Sequence, residues 1–398
     1  MNAATVGQPS LLRAINRRVV FELVASDGPV AATRIAAATG LSKPTVSEIL
    51  RQLVGLGLVS KVGRSQGRVG PSAQLYAVDP SCGFMLAIDV GQQWLRVVAA
   101  DLSGAVIARA DERPRRRNAH QIVDQVEHLV ANVEREAGSG ARRLVVFGTP
   151  GVLRPGDTHL ELAPQLPGWE HPEVITSLRE HLACPVLFEN DVNLAAIGEL
   201  VRGAGRGVRD FVLISVGTGV GMAVVLDGKL HRGASGLAGE IAYLPIGPVE
   251  RATRPRRSGR WHEGAFERLV SSRAIVELAR EAGLGQLSSA APVIEAARNG
   301  SDSARDVVAT IAERLAHGVA AVTAVIDPEL VVIGGGIGSG AANLLLDPMR
   351  VTLERISPLR PRLAVSERGP TAVLDGAVHE GLRHVLDDVF GAEAKSAP

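Results

Sequence analysis

The stretch ENDVNLAAIGEL, residues 189–200, sets Glu189, Asn190, Asp191 and Asn193 within five residues, with Glu199 following on the same run. Acids and amides this close make either a ligand site or a helix cap. PVLFEN reads as a strand and VNLAAIGELVRG as a helix, so Asp191 stands at their junction. A carboxylate there is stabilised by the free N–H groups of the helix start. It can hydrogen-bond a hydroxyl, or take its proton where a phosphoryl donor lies alongside. Capping alone, by Asn190 and Asp191, is the competing reading. Downstream, ASGLAGEIAYLPIG adds Glu240 behind small residues that let a ligand lie close. Carboxylates and an amide around one cleft suit a polyhydroxylated ligand, because each hydroxyl both donates and accepts.

Two α/β halves must supply that cleft. FMLAIDVGQQWLRVVAADLSGAVIARADE reads as three strands with tight turns at 91–93 and 103–104, Asp89 closing the first strand. NAHQIVDQVEHLVANVERE is an amphipathic helix with Ile122, Val126, Leu129 and Val133 on one face. RRLVVFGTPGVL is a buried strand running into a Gly/Pro loop. The plan recurs in RDFVLISVGTGVGMAVVLDGKLHRG, the long helix of ARDVVATIAERLAHGVAAVTAVIDP, and ELVVIGGGIG. Glycine loops at strand ends, at 217–221 and 334–338, let backbone N–H groups approach a phosphate; each alone reads equally well as a tight turn.

The first eighty residues form a different unit. Leu11, Leu12, Ile15, Val19 and Leu23 fall near helical spacing, with Arg13, Arg17 and Arg18 between them. AATRIAAATG is a second helix closed by Gly40. A third begins with Ser42 as N-cap and Pro44 in its first turn, with Val46, Ile49, Leu50 and Leu53 as its apolar face. Its polar side carries Lys43, Thr45, Ser47, Glu48 and Arg51. Two short strands then flank a loop holding Arg64 and Arg68. The series is a winged helix-turn-helix. Ser42, Lys43, Thr45, Ser47 and Arg51 are placed at the major groove, and Arg64 and Arg68 at phosphate or the minor groove. A helical bundle for protein contact is the rival.

Charge supports that division. The formal net charge of +1 combines nine basic against four acidic residues in 1–80, +5, with 34 against 38 in the remainder, −4. A polyanion partner suits the first part only. The 398 residues, 46% hydrophobic and 3% aromatic, allow two or three domains with aliphatic cores. Cys82 and Cys184 give neither a disulfide framework nor a metal cluster and fit a reducing compartment. No signal peptide is expected, apolar runs are short and glycine-broken, and a cytoplasmic protein without membrane contact follows.

Over nearly its whole length the chain closely resembles the ROK family of repressors, open reading frames and kinases. The stretches are DVGQQ at 89–93, GTPGVL at 148–153, ENDVNLAAIGE at 189–199, GTGVG at 217–221, GLAGEIAY at 236–243 and IGGG at 333–336. The resemblance implies an α/β fold with an N-terminal winged helix-turn-helix over residues 1–80, like the xylose and N-acetylglucosamine repressors. It also implies a two-lobed actin-like ATPase, ROK sugar-kinase-like body over 83–390. Its small lobe would take about 83–190 plus the C-terminal helix, its large lobe about 191–375, and 391–398 would be a flexible tail. By the same resemblance Asp191 matches the kinases' catalytic base, and Asn190, Asp191, Glu240 and Glu267 match sugar-binding positions. Asp89, Gly91, Gly217, Thr218, Gly219 and Gly335 match a phosphate site, here vestigial.

The departures are as informative. Gln92 and Gln93 replace the second glycine and the threonine of the kinases' first loop. Tyr243 stands where the family has a zinc-binding histidine that touches sugar, and the zinc cysteines fall on Ser258, Arg260 and Ala265. No zinc and no cofactor are therefore expected, and kinase activity is expected to be lost. The basic run Arg251, Arg254, Arg256, Arg257 and Arg260 is a solvated loop or a second anion contact. The expected function is a sugar-controlled DNA-binding regulator, most simply a repressor, acting on double-stranded operator DNA as a homodimer or dimer of dimers. An ATP-dependent sugar kinase with an attached DNA-binding domain is the first rival. A DNA-binding protein with a ligand-free body is the second.

Overall fold

Gly40 and Ser42 decide how the head is built. Gly40 ends a helix at φ 70°, and Ser42 accepts the Thr45 N–H at 3.3 Å to begin the next. In the computed structural model, which describes residues 9–65, 72–115, 119–138, 140–153, 160, 171–246 and 264–395, the head is α1 (Pro9–Asp27), β1 (Val30–Ala31), α2 (Ala32–Thr39), α3 (Lys43–Gly55), β2 (Val59–Arg64) and β3 (Gln74–Val78). The strands form an antiparallel sheet of order β1-β3-β2. Val46, Ile49, Leu50 and Leu53 of α3 are buried as their spacing requires. Helix α1 differs from expectation. Leu11, Leu12, Ile15 and Val19 are exposed, while Ala14, Val20, Phe21 and Val24 are buried. The reason is tertiary: the opposite face of α1 docks on the C-terminal helix of the body, where Phe21 meets Phe390 with ring centroids 5.8 Å apart. Burying a phenylalanine contributes about 2–3 kcal/mol.

The body repeats one sheet plan twice. Strands β4 (Phe84–Val90), β5 (Leu95–Asp101) and β6 (Val106–Glu112) form an antiparallel meander. After α4 (Ala119–Ala137), β7 (Arg142–Thr149) pairs parallel to β4. After α5 (Pro172–Leu182), β8 (Val186–Asn190) pairs parallel to β7, giving the order β6-β5-β4-β7-β8. Beyond α6 (Asp191–Arg202), strands β9 (Phe211–Val216), β10 (Val220–Leu226) and β11 (Lys229–His231) repeat the meander. The short α7 (Glu267–Val270), then α8 (Ser272–Glu281), α9 (Ala291–Arg298) and the long α10 (Asp302–Ile326) lead to β12 (Leu330–Gly334), parallel to β9. Helices α11 (Gly335–Gly340) and α12 (Ala342–Ile356) precede β13 (Arg362–Val365), parallel to β12, and α13 (Ala372–Lys395) ends the described chain. The second order is β11-β10-β9-β12-β13.

Strand alternation gives each sheet two apolar faces, which require helices on both sides. Leu86, Ile88, Val145 and Phe147 face α4 and α5, whereas Met85, Ala87, Leu144 and Val146 face α6 and α13. Val212, Ile214, Val331 and Ile333 face α10, and Leu213, Val332 and Ala223 face α6. Helix α10 has the length and apolarity of a membrane-crossing helix, and its Val307, Val308, Ile311, Leu315 and Val319 are buried in that outer core. Helix α6, read from sequence as the start of the large lobe, is shared: Leu194 and Ile197 pack toward the first sheet, Ala195 and Ala196 toward the second. Its contact with α13 is backbone to backbone. A Cβ on Gly376 would overlap the Leu194 carbonyl, and one on Gly198 the Ala372 carbonyl. Helix α13 also continues through 391–395, where the sequence reads as a flexible tail.

Candidate functional site

A cleft of about 680 Å³ opens between the two sheets, and the acids and amide singled out at 190, 191, 240 and 267 all line it. Asn190 ends β8, Asp191 begins α6, Glu240 ends the loop after β11, and Glu267 begins α7. Asn190 does the capping: its Oδ1 accepts the Val192 and Asn193 N–H groups at 2.9 and 3.2 Å. Its Nδ2 remains a donor, 3.5 Å from the Gly151 carbonyl. With the cap supplied by Asn190, Asp191 engages backbone N–H groups beside it, Val192 at 2.8 Å and its own. Glu240 depends on Gly239, whose φ of 94° disfavours other residues and whose missing Cβ would overlap the Met222 carbonyl.

Burial shapes the electrostatics. The Asp191 carboxyl is pushed up to about 7, first by burial and then by the nearby Asp89 and Glu240. Burial also raises Glu240. The Tyr243 hydroxyl is pushed up to about 12 by burial and by the charges of Glu240 and Glu267. Near neutral pH Asp191 is therefore divided between its protonated and ionised forms, and can donate to or accept from a sugar hydroxyl.

The phosphate end has changed its chemistry. Asp89, Gly91, Gly217, Thr218, Gly219 and Gly335 all line the cleft, as do Gln92 and Gln93. Arg96, paired with Asp89 across β4 and β5, donates to its carboxylate at 2.9 Å and lies over the Trp94 ring at 5.7 Å. Burial drives Asp89 upward and Arg96 opposes it. Trp94 and Arg96 went unnoticed in the sequence; their signal is a cation opposite Asp89 across the 91–93 turn. The zinc implied by the fold does not fit the described residues. Ala265 is a buried methyl, and Tyr243 is held far from its phenolate form. Ser258 and Arg260, like the rest of the basic run, lie outside the described residues.

The acidic cluster at 189–199 divides. Glu199 is fully buried at the far end of α6, accepting from Ser366 Oγ at 2.5 Å, Ala204 N–H at 2.7 Å and Arg368 N–H at 2.9 Å. It fastens loops and does not reach the cleft. Glu189 turns away as well, toward Asn193 Nδ2 at 2.9 Å and Arg232 Nε at 2.8 Å.

On the head, Lys43, Ser47 and Arg51 form an exposed row at four-residue spacing along α3. Ser42 and Thr45 are exposed too, their hydroxyls joined at 2.7 Å. Arg51 is paired with Glu48, which a phosphate would have to displace. Arg64 is exposed at the end of β2, and Lys61 on the same strand, overlooked in the sequence, is exposed beside it. Arg68 lies outside the described residues.

A profile of the ROK family matches residues 85–364, and one of the IclR helix-turn-helix domain matches residues 19–63. The chain is 25% identical over 388 residues to the Xylose repressor of Caldicellulosiruptor bescii, covering 94% of this chain and 96% of that one. Among solved structures it is similar to a ROK family transcriptional regulator, a homologue of the E. coli MLC protein. That match has a TM-score of 0.73 and 20% identity over 97% of this chain and 100% of the other, a likeness of fold. It is also similar to a ROK family glucokinase from Streptomyces griseus, in complex with glucose and AMPPNP. Here the TM-score is 0.64 and the identity 27%, over 76% of this chain and 100% of that one.

Proposed function

The chain belongs to the ROK family, and on that premise we propose that it is a DNA-binding transcriptional regulator, a repressor of carbohydrate-metabolism genes controlled by a sugar or sugar derivative in the interlobe cleft. The observation that carries this reading is the gathering of Asn190, Asp191, Glu240 and Glu267 around one cleft, in a chain whose helix-turn-helix head shares a core with the body. The relative named as a xylose repressor, matched along nearly its full length, supports a sugar-linked role.

In this reading Asp191, Glu240 and Glu267 accept sugar hydroxyls, and Asn190 Nδ2 donates to a sugar oxygen. Ser42, Lys43, Thr45, Ser47 and Arg51 face the major groove, with Arg64 and Arg68 on phosphates. One recognition helix covers half an operator, so the working form is a homodimer or a dimer of dimers on palindromic DNA in the cytoplasm. Control requires unequal effector affinity for DNA-competent and incompetent states, with a coupling of roughly 1–3 kcal/mol. The Asp89–Arg96 pair, with Gln92 and Gln93 at the phosphate end, favours a binding cleft over a phosphoryl-transfer site.

Genome-wide binding with and without pentoses, hexoses and N-acetylhexosamines tests the proposal, alongside calorimetry on the same panel. The expected result is a small set of sites near carbohydrate genes whose occupancy changes with one sugar that also binds in the calorimeter. Sites indifferent to every sugar, with no heat of binding across the panel, would leave the body a structural support and remove the reading.

A further inference from the structure

A continuous chain of charged side chains runs from the cleft residues to the head. One Glu189 oxygen accepts the Asn190 N–H and Asn193 Nδ2, both at 2.9 Å, and the other accepts Arg232 Nε at 2.8 Å. Arg232 Nη2 reaches Glu380 on α13 at 3.3 Å. Arg383 grips both Glu380 oxygens, at 2.8 and 3.1 Å, and donates from Nη1 to Asp387 at 3.0 Å. Asp387 is paired with Arg18 of α1, which also holds Glu22 at 2.7 Å. His384 lies 3.9 Å from Glu380. The cleft end is attached twice to the cleft-lining residues Asn190 and Glu240. Glu189 directly precedes Asn190. Arg232 opens the loop that ends at Glu240, its carbonyl accepting the Ala238 N–H at 3.1 Å.

We propose that this ionic chain reports cleft occupancy to the DNA-binding head, with Arg232 as the positioning residue at the junction; the proposal rests on the regulator reading above. Isolated exposed ion pairs contribute little. Here the acids at the junction are largely withdrawn from water, with side-chain exposures of 16% for Glu189 and 11% for Glu380, and they share one cation. An acid that loses its partner at such depth is costly, so a change at one link is passed to the next. A ligand drawn between Asn190 and Glu240 alters the spacing of Glu189 and Arg232. Arg232 then divides differently between Glu189 and Glu380. Arg383 answers by shifting between Glu380 and Asp387, and Asp387 alters its hold on Arg18. Ion-pair partners are exchanged at each step, and no charge is created or lost.

The test needs neither sugar nor DNA. Amide hydrogen exchange of α1 is measured by mass spectrometry in the full chain for Glu189→Gln, Arg18→Ala and the double variant, with Arg232→Ala as a second entry to the junction. Arg232 is 44% exposed and leaves no cavity when truncated, and Glu380 keeps Arg383 as a partner. Peptides from β9 and β12 report any general loosening. The expected result is faster α1 exchange in Glu189→Gln and in Arg232→Ala with the control peptides unchanged. In the double variant the effect should fall short of the product of the single effects by a factor of about 3 or more. Arg232→Lys, which keeps the charge, should recover part of the protection. Effects that multiply to within a factor of about 3, or an α1 that ignores both junction variants, would overturn the relay while leaving the regulator reading intact. A sugar that binds without altering DNA affinity would remove the reading instead.

Discussion

Replacing Asp191 with asparagine should make the chain more stable. The asparagine keeps the shape of the protonated acid and its acceptor toward the Val192 N–H, and removes the charge that burial, Asp89 and Glu240 oppose. Between the ordinary carboxyl value of 3.8 and about 7, the folded chain retains a proton that the unfolded chain has already released. Stability contributed by the protonated acid is therefore complete below about pH 4, falls as pH rises across that window, and is lost above about 7. At about 1.36 kcal/mol per pH unit the full difference is roughly 4 kcal/mol. Relaxation around the charged form brings the expected gain to about 1–3 kcal/mol above pH 7.5. Melting the two proteins by calorimetry between pH 5.5 and 8.5 measures this. A rise of about 2 °C per kcal/mol is expected for a body of this size, growing from pH 5.5 to 7 and level beyond. If the variant melts below the wild type, or parallel to it at every pH, the electrostatic account of the cleft is wrong. A stabilised variant that has lost sugar binding would mean that Asp191 is kept for its ligand at a cost in stability.

Other consequences can be checked with standard assays. Gly239→Ala should cost about 2–3 kcal/mol by denaturant titration, and should weaken sugar binding by displacing Glu240, since both its φ and the Met222 carbonyl oppose a side chain. Arg64→Ala should weaken binding to duplex DNA of any sequence and lower the slope of log affinity against log salt by about 1, whereas Arg51→Ala should weaken operator binding far more than binding to unrelated duplexes. Anisotropy measurements with an unchanged slope for Arg64→Ala and unchanged operator affinity for Arg51→Ala would move the DNA surface elsewhere. Incubation with ATP and a hexose panel should yield no phosphorylated sugar; turnover that disappears in Asp191→Asn would restore the kinase reading.

Much of this architecture was legible because it depends on local pattern. The alternation of β4, β5 and β7 and the periodicity of α3 and α4 need no tertiary context to be read. Ser42 and Gly40 mark helix ends by chemistry that acts within four residues. What stayed hidden depends on distance through space. A helix rises about 1.5 Å per residue, so Glu199 ends about 12 Å along α6 from Asp191, although both belong to one acidic-looking run. Arg96 meets Asp89 only once the β4–β5 register is fixed. Helix α1 offers apolar residues on two sides, and the choice between them is made by α13, more than 340 residues later. The split of α6 between two cores follows from its place between the sheets, which its own sequence does not state.

The crossing of α6 and α13 at Gly198 and Gly376 bears on how the molecule can move. With backbones in direct contact, neither helix can slide along the other without a carbonyl striking a neighbour, so the motion that remains is a swivel about the crossing in which α13 carries the first sheet with it, Gly381 being packed on Met85 of β4. Gly376 lies near the start of α13, and the α1 contacts at Asp387 and Phe390 lie 11 and 14 residues further on, about 16–21 Å along the axis. A turn of only about 10° at that pivot would carry α1 through about 3 Å, comparable to the rise of two residues in the recognition helix. The long terminal helix is thus a lever arm with its fulcrum beside the sugar cleft and its working end under the DNA-reading head.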